Sequence, residues 1–326
     1  KGREIQTGPY CMNTSKRVTK QVPKSSTPDN NDAKTQKWGR ERHEGFKIGR
    51  WMQAPPMLFT RDHHPMWMGD MYRGRSAYLI LGGPSFSDVD QDKLKQPGLL
   101  TMGVNNSPRS FRPHMWTSVD SPSHFIKSIW LDPTIQKFVP ICNAGKRLFD
   151  GEKWEFMDMV VGDCPNVVYY KRNEHFKHRQ FLWEDCFNWG DHKKHGGGRS
   201  IMLVAIRLLF HMGIRKLYLL GADFKMDENS GYHFDQSRAA GSVRGNNSTY
   251  RKLNDRFTRL RPEFEKNDFQ VFNCNPDSGL TAFDYVEYDT AIRRGLAEFG
   301  NIDIQNERTE GLYNVKDEDK KKGIGK

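Results

Sequence analysis

The sequence has little cysteine and no long apolar run. Five cysteines stand among 326 residues, Cys11, Cys142, Cys164, Cys186 and Cys274. That number is odd and no two of them form a C-x-x-C pair, which argues against a disulfide framework and against the usual zinc and redox motifs. They read as reduced thiols. No stretch approaches the roughly 20 apolar residues that cross a bilayer, and the first residues lack the apolar run of a signal peptide. The expectation is therefore a soluble, reducing, cytoplasmic setting. G-x-G-x-x-G and G-x-x-x-x-G-K-[ST] are also missing, which disfavours nicotinamide dinucleotide enzymes and P-loop ATPases.

What is present is positive charge. Lys and Arg number 51 against 40 Asp and Glu, a net charge of +11. Such a field attracts nucleic acid, anionic membranes or polyanionic substrates. Residues 1–45 are polar and lack a periodic apolar pattern, so they are expected to form a basic, largely disordered arm. Residues 46–315 are expected to fold as one domain, and 316–326 to be a frayed tail. His63 and His64 are adjacent and project in different directions, which makes them poor joint ligands, and no metal site is expected.

The folded part alternates short apolar runs with turns. Ala77 to Leu81 has strand length and runs into Gly82-Gly83-Pro84-Ser85, with a helix carrying Asp88 and Asp90 expected next. Leu99 to Val104 and Met115 to Val119 read as strands that deliver Asn105-Asn106 and Asp120; Lys137 to Ile141 and Asn166 to Tyr170 read as two more. Ser200 precedes a helix over Ile201 to Met212 closed by Gly213. Lys216 to Leu220 then forms a buried strand ending at Gly221-Ala222-Asp223-Phe224. Arg251 to Glu265 reads as an amphipathic helix and Gln270 to Asn273 as a strand that ends near Asn275. The pattern predicts an α/β, Rossmann-like, mainly parallel sheet with helices on both faces, whose ligands sit beyond the carboxyl ends of the strands.

At that rim the chemistry converges. Glycine turns such as Gly82-Gly83 and Gly196 to Gly198 offer backbone N–H groups to phosphate without a side chain in the way. Ser85, Asn105, Asn106, Asp120, Asp223 and Asn275 gather there with Gly221. Amides can read a base or ribose, and carboxylates can orient a sugar or take a proton from a hydroxyl.

Leu81-Gly82-Gly83-Pro84-Ser85, Gly103-Val104-Asn105-Asn106, Ser200, Tyr218 to Phe224, Tyr232-His233-Phe234-Asp235 and Cys274 to Ser278 together resemble the motif order of bacterial sialyltransferases of lipooligosaccharide synthesis. A related resemblance exists to the 6-hydroxymethylpterin pyrophosphokinase-like family. The first implies a Rossmann-like domain with a small lid, placed at about 225–250, a nucleotide-sugar donor (UDP- or CMP-sugar), no metal and inversion at the sugar carbon. By position, Gly83 and Ser85 line the donor phosphate, Asn105 contacts the nucleotide, Ser200 contacts phosphate or sugar, and Asp223 sits beside the donor. The family's lid histidine has no counterpart between Gly241 and Thr249. His233 is the candidate base instead, with Asp120 and Asp223 as carboxylate competitors. Arg244, in a loop-like composition, is a candidate to neutralise the leaving diphosphate in place of a metal, with contact to an acceptor and a solvated surface arginine as the alternatives.

For the acceptor, basic residues mixed with aromatics in Tyr169 to Arg172, His175 to Arg179 and Trp183 to Lys194 suit a polyanion with stackable bases. The expected partner is DNA and the expected activity sugar transfer to a 5-hydroxymethylpyrimidine, as some viral genomes require, which would place the enzyme in a host cytoplasm. Three alternatives stand beside it: a glycan-directed transferase of the same family, a Mg²⁺-dependent pyrophosphokinase, and a non-catalytic nucleic-acid-binding protein.

Overall fold

The structure, a computed structural model, describes residues 57–184, 186–192, 197–226, 231–236 and 242–300, together with 318, 321 and 322. The expected arm over 1–45 lies outside the described residues, as does most of the expected tail.

Fourteen strands are described. β1 (Leu58–Phe59) and β2 (Pro65–Met66) pair with each other; β3 (Ser76–Ile80), β4 (Thr101–Val104), β5 (Met115–Thr117) and β6 (Gln136–Pro140) follow. β7 (Arg147–Asp150) and β8 (Glu155–Val160) form a separate antiparallel hairpin, and β9 (Val167–Tyr170) rejoins the sheet. β10 (Arg172–Asn173) and β11 (Phe187–Asn188) make a small parallel pair, before β12 (Lys216–Leu220), β13 (Gln270–Asn273) and β14 (Asp284–Tyr285). The ten-stranded sheet runs β14-β13-β12-β3-β4-β5-β6-β9-β1-β2. Every pairing from β14 to β9 is parallel, and the two pairings at the far edge, β9 with β1 and β1 with β2, are antiparallel. The fold is the expected α/β, Rossmann-like one.

Alternation along the strands sorts the core into two layers. Ala77, Leu79, Leu217 and Leu219 face helices α2 (Ile201–His211) and α3 (Ser242–Glu265), whose Leu203, Ile206, Leu253 and Phe257 complete that cluster. Tyr78, Ile80, Tyr218 and Leu220 face the other way, against Ala291 and Ile292 of α4 (Tyr288–Phe299). On that face Tyr78, Tyr218 and Phe272 stack side by side across three neighbouring strands, with centroids 5.3 and 5.5 Å apart. A shorter helix, α1 (Lys127–Leu131), covers β5 and β6 with Ile129 and Trp130. Burying each side chain of this size contributes about 1.5–3 kcal/mol, so the two layers carry most of the stability.

α2 forms where it does because Ser200 caps it, its hydroxyl accepting from Met202 N at 3.1 Å, and because no glycine or proline interrupts Met202 to Phe210. It stops at Gly213, where φ is +96° and a side chain would meet the backbone of Arg73.

Two expectations fail. No helix follows Ser85: two 3₁₀ turns, Pro84–Asp88 and Gln91–Lys95, carry the chain to β4. Asp90 interrupts the run by capping the second turn through Asp92 N at 3.1 Å, the local side-chain bond that competes with helix. The stretch expected to be a lid loop is, from Ser242 onward, the start of α3, nine residues earlier than Arg251. Asn247 explains the early start, since it holds both backbone groups of Met226 at 2.9 and 2.7 Å. The remainder of the expected lid at 227–230 and 237–241 lies outside the described residues.

At the amino edge, Glu298 ties β3 to β12. Its carboxylate accepts from Ser76 N and Oγ at 2.7 and 2.8 Å and pairs with Lys216 Nζ at 2.9 Å.

Candidate functional site

The order of strands reverses between β3 and β12. From β3 the chain steps outward through β4, β5, β6 and β9; it then returns on the other side of β3 as β12, followed by β13. Loops leaving those two neighbouring parallel strands diverge, and a crevice opens beyond their carboxyl ends. Gly82 to Ser85 leave β3 at that point and Gly221 to Phe224 leave β12.

Asp223 joins the loops. Its Oδ2 accepts from Ser85 Oγ at 2.8 Å and from Ser85 N at 3.4 Å, and its Oδ1 accepts from Asn275 Nδ2 at 3.1 Å. The residue is 8% exposed. Burial pushes its carboxyl above the usual range, while the Ser85 hydrogen bonds pull the other way. Gly83 fits because it has no side chain: a Cβ there would lie 1.8 Å from Asp223 Oδ2 and 2.5 Å from Gly221 O. The turn beyond is braced as well. Ser278 Oγ donates to the carbonyls of Ala222 and Asp223, Gly279 N donates to Asp223 O at 2.7 Å, and Phe224, at φ +50°, stacks on Tyr250 at 5.1 Å.

Above Gly82 runs the segment 231–236. Tyr232 and Phe234 stack on each other at 5.3 Å, and a Cβ on Gly82 would meet the Tyr232 ring at 3.2 Å. His233 lies between them in sequence, with Nε2 2.7 Å from Leu81 O and Nδ1 2.7 Å from Ser110 Oγ. A carbonyl only accepts, so Nε2 carries the proton and Nδ1 accepts from the serine. Burial holds the imidazole below its ordinary pKa, against the opposing pull of its backbone hydrogen bonds. Both ring nitrogens are therefore engaged, and a proton removed from outside would pass through Ser110.

Gln236 extends the same segment to β4. Its Oε1 accepts from Asn106 Nδ2 at 2.8 Å, and that amide also donates to His124 O at 3.1 Å. Because the His124 carbonyl must face an N–H, the orientation of the amide is determined, and Asn106 Oδ1 points the other way. That oxygen is buried with no hydrogen-bond partner among the described residues. Asn105, at φ +50°, is used locally: its Oδ1 accepts from Ser118 Oγ at 3.1 Å and its carbonyl from Trp116 Nε1 at 2.7 Å.

The structure thus joins Gly82, Gly83, Ser85, Gly221, Asp223, Asn275, His233 and Asn106 in one contact network. Asp120 is exposed at the end of β5, its carbonyl accepting from Asn143 Nδ2 at 2.9 Å. Ser200 caps α2, and Arg244 is exposed in the first turn of α3, not in a loop. Among the described residues no hydrogen bond joins these three to the network. Ser110 and Gln236 were not anticipated, since only the fold brings them to His233 and Asn106.

The basic and aromatic segment expected to stack bases has its rings turned inward. Tyr169 and Tyr170 are 1% and 0% exposed, Phe181 is in the core, and Phe176 packs against it. The Arg172 and Arg199 guanidinium groups lie 4.7 and 4.5 Å from the Trp189 ring, and Arg256 lies 4.1 Å from that of Phe176. These rings are engaged with the protein's own groups, which corrects the picture of an open stacking surface.

Among the described residues no three His, Cys, Asp or Glu side chains gather as a metal site would require, and no helix is long and apolar enough to cross a membrane.

Neither a family model nor a curated protein matches the chain. Among solved structures it is similar to the sialyltransferase CstII from Campylobacter jejuni in complex with cytidine-5'-monophosphate, at 13% sequence identity and a TM-score of 0.39, covering 66% of this chain and 85% of that one. It is likewise similar to the same enzyme in complex with CMP-3FNeuAc, at 14% identity and a TM-score of 0.37, covering 65% of this chain and 86% of that one.

Proposed function

We propose that this chain is a glycosyltransferase that holds a pyrimidine nucleotide-sugar in the crevice between β3 and β12 and moves the sugar to an acceptor hydroxyl. One observation carries the reading. Asn106 Oδ1, just beyond the carboxyl end of β4 and next to β3, is a buried acceptor with no hydrogen-bond partner among the described residues, and such an atom costs about 1–3 kcal/mol unless a ligand N–H meets it. A nucleobase supplies that donor. The Gly82-Gly83 turn leaves room for a phosphate oxygen at the backbone, and the motif order from Leu81 to Ser278 agrees with a donor placed there.

In this reading Ser85 and Asn275 position the Asp223 carboxyl beside the donor. Ser110 and His233 take up the acceptor proton: the acceptor oxygen bonds to the sugar carbon, the bond from that carbon to the phosphate oxygen breaks with its electrons going to the nucleotide, and the proton travels through Ser110 Oγ to His233 Nδ1. Depression of the imidazole pKa by burial keeps it neutral and receptive near pH 7. The proposed transfer inverts the sugar carbon and needs no metal.

Calorimetry with CMP and UDP, in EDTA, tests the donor site directly. Wild type is expected to bind one of them, and Asn106→Leu to weaken it at least tenfold while still unfolding cooperatively. Absence of binding for both nucleotides to wild type would refute the proposal. Turnover is then read by mass measurement with panels of CMP- and UDP-sugars. Hydroxymethylated DNA tests the acceptor suggested by the net charge, alongside neutral glycans.

A further inference from the structure

The outer face of α3 carries positive charge that the protein itself does not answer. At 3.6 residues per turn, Arg244, Arg251, Asp255 and Arg259 share an arc of roughly 80°, and all four are exposed. The opposite arc, with Leu253, Phe257, Leu260 and Phe264, is buried in the core. Three arginines thus stand against one aspartate, and among the described residues no ion pair joins any of the four. Other arginines of the helix are matched: Arg256 pairs with Asp191 at 2.7 Å, and Arg261 with Glu265 at 2.8 Å and Asp284 at 2.7 Å.

The turn His178–Gln180 continues the stripe. It packs on α3, where the Arg256 guanidinium lies 4.1 Å from the Phe176 ring, and it leaves Lys177 and Arg179 exposed, neither of them in an ion pair among the described residues. Burial, and then the charges of Arg256 and Arg259, hold the His178 imidazole below its ordinary pKa. Arg259 and this turn therefore share one positive field.

The stripe also has a direction. Because α3 leads into β13, which runs parallel to β12, its amino end lies at the carboxyl rim of the sheet. There Asn247 holds Met226 and Tyr250 stacks on Phe224, next to Asp223. From Arg244 to Arg259 the helix rises about 22 Å away from the crevice.

Composition selects the partner. The apolar side of α3 is engaged in the core, and among the described residues none of the large exposed apolar side chains belongs to α3 or to 175–180. This surface lacks the inserting face that holds a helix on lipid. Four of its five unmatched cations are guanidinium groups, which form paired bonds to phosphate that an ammonium does not. A duplex carries one phosphate per strand for about every 3.4 Å of its axis, so the stripe faces about six on one strand.

We propose that the stripe Arg244, Arg251 and Arg259 of α3, continued by Lys177 and Arg179, docks the phosphate backbone of a nucleic-acid duplex, with one end of the docked segment at the crevice. This rests on the transferase reading above and gives that reading an acceptor class, a duplex held by its backbone rather than by stacked bases.

The test uses the full chain and the triple variant Arg179→Ala/Arg251→Ala/Arg259→Ala, with Arg244 kept because it stands nearest the donor. A second triple, Lys16→Ala/Arg17→Ala/Lys20→Ala, removes the same charge from residues 1–45. Binding of labelled duplex DNA is measured from about 50 to 200 mM salt, with heparin and phosphatidylglycerol vesicles as parallel polyanions, and CMP and UDP affinities are measured on each protein. Wild type is expected to bind the duplex with an affinity that falls steeply with salt. The stripe variant should bind at least about tenfold more weakly and flatten the slope of log affinity against log salt by about 3, one for each lost phosphate contact, while the second triple changes it by less than about 1. Nucleotide affinity and Tm should stay as they were. Should the stripe triple lower Tm, its three single variants, each expected to flatten the slope by about 1, carry the same decision. The proposal is overturned if wild type does not bind the duplex, if the stripe variant binds it as wild type does, or if the second triple loses as much. It is equally overturned if the three arginines govern binding of heparin or vesicles more strongly than binding of the duplex. Stripe-dependent duplex binding in a protein that binds neither nucleotide would leave the docking surface standing and remove the transferase reading; nucleotide binding without stripe-dependent duplex binding would do the reverse.

Discussion

The same two strands, β3 and β12, are clasped at each end by one carboxylate, and the two clasps are built differently. At the amino edge Glu298 takes Ser76 and the ammonium of Lys216, so its charge is matched by a cation. At the carboxyl edge Asp223 takes only neutral donors, Ser85 and Asn275, and burial raises its pKa. A clasp meant only for stability follows the first pattern. The second keeps a charge where burial disfavours it, which is how groups at working sites are tuned.

Substitution should separate the two edges. The largest effect is expected from Gly83→Ala, because the added carbon overlaps Asp223 and the Gly221 carbonyl; a loss of about 3 kcal/mol or more by denaturant unfolding should accompany loss of nucleotide binding. Glu298→Ala should cost about 2 kcal/mol, since Lys216 and Ser76 lose a charged partner, yet leave CMP and UDP affinities as they were. If it weakened nucleotide binding as much as Gly83→Ala, the division between the edges would fail. Ser110→Ala should cost about 1 kcal/mol and impair turnover far more than donor affinity.

Asp223→Asn should change stability least, by under about 1 kcal/mol at neutral pH, because a buried charge disappears along with one accepted hydrogen bond. Its signature lies in pH. A carboxyl whose folded pKa is raised binds its proton more tightly in the folded state. Wild-type stability should therefore fall as pH rises from the unfolded value of about 3.9 through the folded one, and Asp223→Asn should lack that fall. His233 has the opposite sign: its folded pKa is lowered, so its contribution is present above about pH 6.5 and is lost as pH drops toward the folded value. Urea midpoints across pH 4 to 8 report both.

Much of the rim was legible because short apolar runs bounded by glycine or amide residues have few alternative structures. β3 and β12, with Gly83, Ser85 and Asp223 at their ends, follow from that punctuation. The partners of those residues do not. Ser110 reaches His233 across 123 positions and Gln236 reaches Asn106 across 130, distances over which no periodicity carries information. The early start of α3 was hidden by Gly, Ser and Asn, residues of weak helix propensity that a tertiary anchor, Asn247 on Met226, overrides. The hairpin did leave a trace, an Asp150-Gly151 turn signal beside strand residues. Its two strands pair antiparallel and outside the main sheet, so they carry none of the strand–turn–helix punctuation that marks the rim.

The bracing among Ser85, Asp223, Asn275, Ser278 and Gly279 bears on how quickly and how tightly the proposed donor would be captured. A crevice whose walls are already ordered loses little conformational freedom when occupied, so more of each contact with the donor would appear as affinity. Selection there would fall on molecules that match a fixed outline, and rates of capture would depend on diffusion to that outline rather than on its assembly.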